Sequence, residues 1–136
     1  MFYQTVYKAS TDMLSMRLTG NVVHLFSDTL ELLPGIYADY DSNRKIIAID
    51  IHEASHRIVN GAKSIAWNFF YKSDELVFFF EDTNDFSFPD RHTLTQTNDD
   101  NIQIKMTGCL ESLELYNIHQ ISCISISKAS ERVTDA

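Results

Sequence analysis

The chain has 136 residues, of which 44% are apolar, and this length and composition predict one packed globular unit. A formal net charge of −8 argues against nucleic acid or a membrane as the partner, because binding to phosphate groups needs clustered lysine and arginine side chains. The two cysteines lack CxxC spacing and no charged-then-apolar leader precedes Tyr3, so we expect a cytoplasmic protein. The sequence has no Gly-rich phosphate loop, and no cofactor is expected.

The first part of the chain reads as a series of short strands bounded by turn residues. The predicted strands are Phe2–Tyr7, Met13–Leu18, Val22–Leu25, Thr29–Leu32, Ile36–Tyr40 and Lys45–Ile51. A turn at Asp41–Arg44 should join the last two strands in an antiparallel hairpin, with Asp41 capping the backbone two residues on. Strict alternation predicts that Ile47, Ile49 and Ile51 face the core.

One short helix is predicted within Glu53–Val59, followed by further strands. These strands are Ser64–Tyr71, Leu76–Phe80, Thr93–Gln96, Ile102–Met106, Cys109–Leu115 and Ile121–Ile126. Leu76–Phe80 is apolar on both sides, which predicts that both of its faces are covered, by the other half of the chain or by another subunit. We expect Cys123 to be a buried thiol and the chain to be disordered from about Ser130 onward.

The second half of the sequence resembles the first. Ser42–Ile51 and Met106–Leu115 both read as turn, apolar, small, apolar, acid, apolar, and Tyr7–Leu14 is echoed by Tyr71–Leu76. Self-similarity at a fixed spacing is typical of internal repeats. The sequence therefore predicts an all-β fold with two antiparallel β-meander repeats, residues 1–60 and 61–136, packed as a sandwich or a partly closed barrel with one linking helix.

Leu33–Asp41, together with Ile46–Ile51 and the Ala-Ser pair at 54 and 55, resembles the bacterial domain-of-unknown-function family numbered 2283. Asp12 and Leu14 match the start of the family pattern, whereas Arg44 stands where a turn glycine is usual. The resemblance covers residues 3–58, and residues 64–119 read as a degenerate second copy. It implies a β meander in each copy, no established chemistry and, for some members, an antitoxin-like role in binding a partner protein.

Residues 52 to 56 spell HExxH, in which two histidines one helical turn apart bind zinc and the glutamate activates a water molecule. His52 directly continues the strand Lys45–Ile51, however, so His52, Glu53 and His56 are not expected to share one helix. A surface turn is the simpler explanation, and a zinc-dependent hydrolase stays an alternative.

Two groups of acids are candidate sites. Asp39, Asp41 and Asp50 on paired strands could act in acid–base chemistry or bind Ca²⁺, although a solvated sheet face and a turn cap explain them more simply. A second group lies between residues 81 and 100 and could form an acidic face for a basic protein partner. It contains Asp82, Asp85, Asp90, Asp99 and Asp100.

The aromatic residues leave one further alternative open. Trp67, Phe69, Tyr71 and Phe78–Phe80 could line the cavity of a small-ligand-binding β barrel, but core packing is the default explanation. Because the sequence combines an excess of apolar strand surface with no clear catalytic motif, it favours a non-catalytic cytoplasmic protein-interaction module, expected to be a homodimer.

Overall fold

The computed structural model describes residues 4–18, 26–58, 65–80, 88–107 and 120–133. The predicted all-β fold is confirmed: two five-stranded antiparallel sheets pack together around a shared apolar core, and the described strands do not close into a barrel. The predicted strands Val22–Leu25 and Cys109–Leu115 lie outside the described residues.

The first sheet contains five strands, followed by a single turn of helix. These elements are β1 (Gln4–Lys8), β2 (Met13–Arg17), β3 (Phe26–Leu33), β4 (Ile36–Asp41), β5 (Ile46–His52) and α1 (Ala54–Arg57). In space the strand order is β1-β2-β5-β4-β3, so β2 lies beside β5 and the sheet is not a simple meander. The predicted hairpin is present, and the Asp41 carboxylate accepts hydrogen bonds from the backbone N–H groups of Asn43 and Lys45.

The second sheet has the same strand order. Its elements are β6 (Ala66–Phe70), β7 (Glu75–Phe79), β8 (Leu94–Gln96), β9 (Ile102–Thr107), β10 (Gln120–Ser127) and α2 (Ala129–Arg132). The strands are arranged as β6-β7-β10-β9-β8. The central position, which β5 occupies in the first sheet, is therefore occupied by β10 in the second. The internal repeat in the sequence had instead predicted Met106–Leu115 as the counterpart of β5.

The pairing register also matches between the sheets, which assigns equivalent residues. Ser15 faces Asp50 across β2 and β5, and Val77 faces Ser125 across β7 and β10. The pairing of β4 with β5 passes from Asp39 and Ala48 directly to Tyr40 and Ile46, skipping Ile47. The pairing of β9 with β10 skips Ser122 at the same point. Each central strand thus contains a β-bulge in the same position.

The bulge corrects the predicted orientation of β5. Ile46, Ile49 and Ile51 are fully buried, whereas Ile47 is only half-buried. An extra residue in a strand shifts the alternation of side chains, so strict period-two counting placed Ile47 in the core when Ile46 occupies that position. The alternation predicted for β4 is confirmed, with Ile36, Ala38 and Tyr40 buried.

Each helix is attached to its own sheet by an aspartate in the first hairpin. The carboxylate of Asp12 accepts hydrogen bonds from the backbone N–H and the hydroxyl of Ser55, and Asp74 does the same for Ser130. Both aspartates have positive φ values, 51° and 53°, which aspartate tolerates better than most residues. The same contact therefore positions the start of α1 and of α2.

The chain after each helix crosses to the other sheet. Val133, which follows α2, forms a parallel bridge with Ile46 at the start of β5, and Ile58, which follows α1, bridges Ile121 in β10. All four side chains are buried. The predicted disorder from about Ser130 is therefore wrong for residues 130–133, because they form a helix and contribute Val133 to the shared core.

Strand β7 is buried on both faces, as predicted for its continuous apolar sequence. Leu76 and Phe78 pack in the shared core, while Val77 and Phe79 form a smaller cluster with Cys123 on the outer face. The segment of residues 88–93, called the strap below, covers this outer cluster, with Phe88 packed against Phe70 at a ring distance of 5.0 Å. The outer face is therefore covered by the same half of the chain, and not by the other half or another subunit as predicted. Cys123 is buried, as predicted.

Candidate functional site

A row of hydrogen-bonded polar side chains crosses the outer face of the first sheet. The Ser15 hydroxyl on β2 donates to Asp50 on β5 at 2.6 Å, and the Thr29 hydroxyl on β3 donates to Asp39 on β4 at 2.7 Å. Asp39 and Asp50 lie side by side between these two hydroxyls. The structure thus brings together two of the three aspartates that the sequence singled out on these strands.

The two carboxyl groups influence each other. Burial is the main cause that raises the pKa of Asp39 above its usual value. The neighbouring Asp50 raises the pKa of Asp39 further, through its negative charge and through a hydrogen bond between the carboxyl groups, while the Thr29 hydroxyl opposes this shift. Asp39 therefore holds its proton more strongly than an isolated aspartate does.

The carboxyl pair lies in a groove of about 260 Å³. The groove lining combines both signs of charge with small and apolar side chains: Val6, Lys8, Met13, Ser15, Arg17, Asp39, Ala48 and Asp50. Lys8 and Arg17 line the same groove, yet the pKa of Asp39 is raised, first by burial and further by Asp50. The groove therefore favours an additional cationic group between the carboxyls.

The HExxH residues do not form a zinc site of the helical type. His52 ends β5, Glu53 has the left-handed conformation with φ of 55°, and His56 lies on α1. The two histidines consequently do not stand one turn apart on a single helix, and the His52 ring packs against Tyr37 at 5.0 Å. Over the described ranges, no three His, Cys, Asp or Glu side chains are arranged to hold a metal ion.

The acids predicted as a partner-binding face have separate roles. Asp82 and Asp85 lie outside the described residues. Asp90 caps the 3-10 turn Arg91–Thr93, and Asp100 is exposed. Asp99 is buried, which corrects its predicted place on an acidic surface: a carboxylate that is taken out of water needs internal partners, and here it has them.

Asp99 connects the two halves of the molecule. It accepts a hydrogen bond of 2.6 Å from the Tyr40 hydroxyl on β4 and two from the Arg132 guanidinium on α2. Burial acts to raise the pKa of Asp99, but the hydrogen bonds from Arg132 and Tyr40 outweigh it and the pKa is lowered. For Tyr40, burial and then the bond to Asp99 raise the pKa well above its usual value.

Sequence reasoning missed Arg132 and the helix that carries it. A signal was present, because Ala54-Ser55-His56-Arg57 returns as Ala129-Ser130-Glu131-Arg132. The importance of Tyr40 had no such signal, since a tyrosine on the buried side of a strand is ordinarily explained by core packing.

The aromatic residues proposed for a ligand cavity do not enclose one. Phe78 and Phe80 are buried in the shared core and Phe79 in the outer cluster, whereas Trp67 and Tyr71 are exposed to solvent over 49% and 88% of their surfaces. These two side chains therefore belong to the surface.

Comparisons with models of protein families, with curated proteins and with solved structures found no match for this chain. Within the residues that the structure describes, neither helix has the length or the apolar run needed to cross a membrane.

Proposed function

We propose that this chain is a non-catalytic protein-interaction module that forms a homodimer through an aromatic patch on β6 and the turn that follows it. The patch consists of Trp67 and Tyr71, and Phe69 lies between them with its ring 4.9 Å from that of Tyr71. The single observation that supports the proposal is the exposure of these large side chains, 49% for Trp67 and 88% for Tyr71. Aromatic residues are enriched where proteins bind one another.

The position of the patch suits an interface between copies. Trp67 pairs in register with Phe78, whose side chain lies in the core, so Trp67 extends the core-facing side of the sheet to its edge at β6. The equivalent positions in the first sheet hold Thr5, Tyr7 and Ala9, and the Tyr7 hydroxyl donates a hydrogen bond to Asp12. The second edge therefore presents a larger apolar surface than its counterpart.

The charge of this edge also favours self-association. Residues 66–71 contain no charged side chain, although the whole chain has a formal net charge of −8. Edge strands are usually protected against association by charged residues or proline, and β6 has neither. Two copies can meet here about a two-fold axis, with each patch covering the other, without bringing like charges together.

Analytical ultracentrifugation of the purified chain tests the proposal. We expect the native sequence to sediment as a dimer and the double variant Trp67→Ser, Tyr71→Ser to sediment as a monomer with an unchanged circular dichroism spectrum. Phe26→Ser, which removes another exposed aromatic side chain from edge strand β3, is the matched control and should leave the dimer intact. A native chain that is monomeric at every concentration tested contradicts the proposal.

We also propose that the two halves are copies of one ancestral unit. The shared strand order, the matching bulges and the matching aspartate–serine contacts support this origin. The cytoplasmic location and the antitoxin-like binding of a partner protein are parts of the same proposal, supported by cysteine usage and by the sequence resemblance.

A further inference from the structure

The outer face of the second sheet shows how this fold holds an extended segment of polypeptide. Phe88 of the strap packs on Phe70, and the Arg91 guanidinium lies 4.9 Å from the Phe88 ring. Arg91 also forms an ion pair with Glu75, which is only 3% exposed and accepts a second hydrogen bond from the hydroxyl of Ser125. An arginine and an aromatic residue three positions apart therefore anchor the strap.

The same positions on the first sheet line the groove around Asp39 and Asp50, and none of the described residues crosses it as the strap crosses the second sheet. By register, groove residues correspond to residues of the second sheet as follows: Lys8 to Phe70, Met13 to Glu75, Ser15 to Val77, Arg17 to Phe79, Ala48 to Cys123 and Asp50 to Ser125. Most of these counterparts belong to the outer cluster or contact the strap. Among the described residues, the second half thus contains both the binding surface and its occupant, and the first half contains the matching surface.

We propose that the groove on the first sheet binds an extended segment of a partner protein that carries an arginine, in the place that the strap takes on the second sheet. The partner is a different protein, because the strap of another copy is already held by its own Glu75. The surface is separate from the aromatic patch on β6, so this proposal does not depend on the homodimer.

Charge complementarity indicates an arginine. In the second sheet the buried Glu75 forms an ion pair with the arginine of the strap. Met13 takes the place of Glu75 in the first sheet, where Asp39 on β4 and Asp50 on β5 provide the negative charge instead. A guanidinium has several planar donors and can bridge two adjacent carboxylates, which a lysine ammonium cannot match in geometry. A cation here also removes the repulsion between Asp39 and Asp50.

The remaining groove residues indicate what flanks the arginine. Val6, Met13 and Ala48 offer apolar contacts for a neighbouring aliphatic or aromatic side chain, as Phe70 does for Phe88. Lys8 ends β1 and Arg17 ends β2, so their charges lie towards opposite ends of the groove in this antiparallel pair. The segment therefore combines a central arginine with an apolar neighbour.

Chemical-shift perturbation by NMR tests the proposal with a defined probe. The probe is the heptapeptide Phe-Pro-Ser-Arg-His-Thr-Leu, which is the sequence of residues 88–94 with serine in place of the acid, and its control has glutamine in place of arginine. We expect saturable shifts of the Ser15, Ala48 and Asp50 amides with the arginine peptide, and binding at least tenfold weaker with the glutamine peptide.

Variants of the protein complete the test. Asp39→Asn with Asp50→Asn should weaken binding of the arginine peptide at least tenfold while the rest of the spectrum is retained, and Asp100→Asn, which removes an exposed acid elsewhere, should not. The titration is repeated on the Trp67→Ser, Tyr71→Ser variant, where the same shifts are expected. The absence of saturable shifts, equal binding of both peptides, or shifts confined to Val77 and Cys123 beneath the strap would overturn the proposal.

Discussion

Ile46 and Val133 form a parallel bridge between the last strand of the first sheet and the chain that leaves the second helix. Its counterpart joins Ile58 to Ile121 in the opposite direction, so each half of the molecule completes the core of the other. The two sheets therefore share one core, and neither encloses its apolar face alone.

This reciprocal arrangement predicts that both halves unfold in a single transition. Ile58→Ala should lower the free energy of unfolding by roughly 2–5 kcal/mol, because truncating a buried isoleucine loses burial and leaves a cavity. Val133→Ala should cost roughly 2 kcal/mol on the same grounds. Denaturant unfolding followed by Trp67 fluorescence and by circular dichroism should give coincident curves. Thr5→Ala, on an exposed edge, is the control, and two separate transitions would contradict the prediction.

The buried hydrogen bond between Tyr40 and Asp99 predicts that removal of the tyrosine hydroxyl lowers the stability of the protein. Tyr40→Phe should destabilise the protein by roughly 1.5–3 kcal/mol, since it removes a hydrogen bond to a charged group and leaves that group less well satisfied. Tyr37→Phe, on the outer face of the same strand, is the matched control: it removes a hydrogen bond to the exposed Glu31, where water can replace the hydroxyl, and should cost clearly less. Thermal unfolding compares the two, and equal effects would show that the contact with Asp99 contributes nothing.

Asp39 predicts a dependence of stability on pH. Its pKa is raised in the folded protein, so the stability that its proton contributes is complete below the ordinary carboxyl value of 3.8 and is lost as the pH rises through the folded-state pKa. Asp39→Asn, which keeps an acceptor for the Thr29 hydroxyl, should therefore raise the melting temperature at about pH 7 and have little effect at about pH 3.

The shift of Asp39 has causes on several strands. Asp50 and Thr29 contact it, and Lys8 and Arg17 line the same groove. Because Asp50 contacts Asp39, the difference between the two melting curves reports on the burial of Asp39 together with its interaction with Asp50. A variant that is less stable than the native chain at about pH 7 would contradict the assignment.

The ion pair between Arg91 and Glu75 predicts the reactivity of a buried thiol. Arg91→Gln removes the cation that holds the strap over the outer cluster, so the strap should open more often and Cys123 should react faster with a thiol reagent. In a Cys109→Ser background we expect slow labelling of the folded protein and at least tenfold faster labelling in the variant. Arg44→Gln, which changes an exposed arginine, should label as slowly as the native sequence.

Much of the fold could be predicted from short-range patterns. Alternation placed β4 and its buried residues correctly, and turn chemistry at Asp41 predicted the hairpin with β5. The orientation of β5 was wrong at Ile47 because a bulge depends on the pairing partner, which a single strand does not reveal. Likewise, α2 is too short to show helical periodicity and is fixed by its contact with Asp74, a residue far away in sequence.

The candidate site was predictable only in part. Asp39 and Asp50 stand on the same side of neighbouring strands, so their approach follows from the hairpin. Their hydroxyl partners do not, because Ser15 and Thr29 are brought in by the pairing of β2 with β5 and of β3 with β4. The HExxH motif does not form a helical zinc site, because His52 ends a strand and Glu53 has the left-handed conformation. Two histidines that are close in the sequence therefore do not lie on one helix.

The bridge between Ile46 and Val133 also has a consequence for how the molecule is made. The first sheet is synthesised early, but Val133, which contributes to its core, follows much later in the chain. Until Val133 has been synthesised, part of the apolar face of the first sheet is expected to stay uncovered. Its productive folding is therefore expected to follow release of residue 133 from the exit tunnel, and chaperones that shield nascent chains would act in that interval.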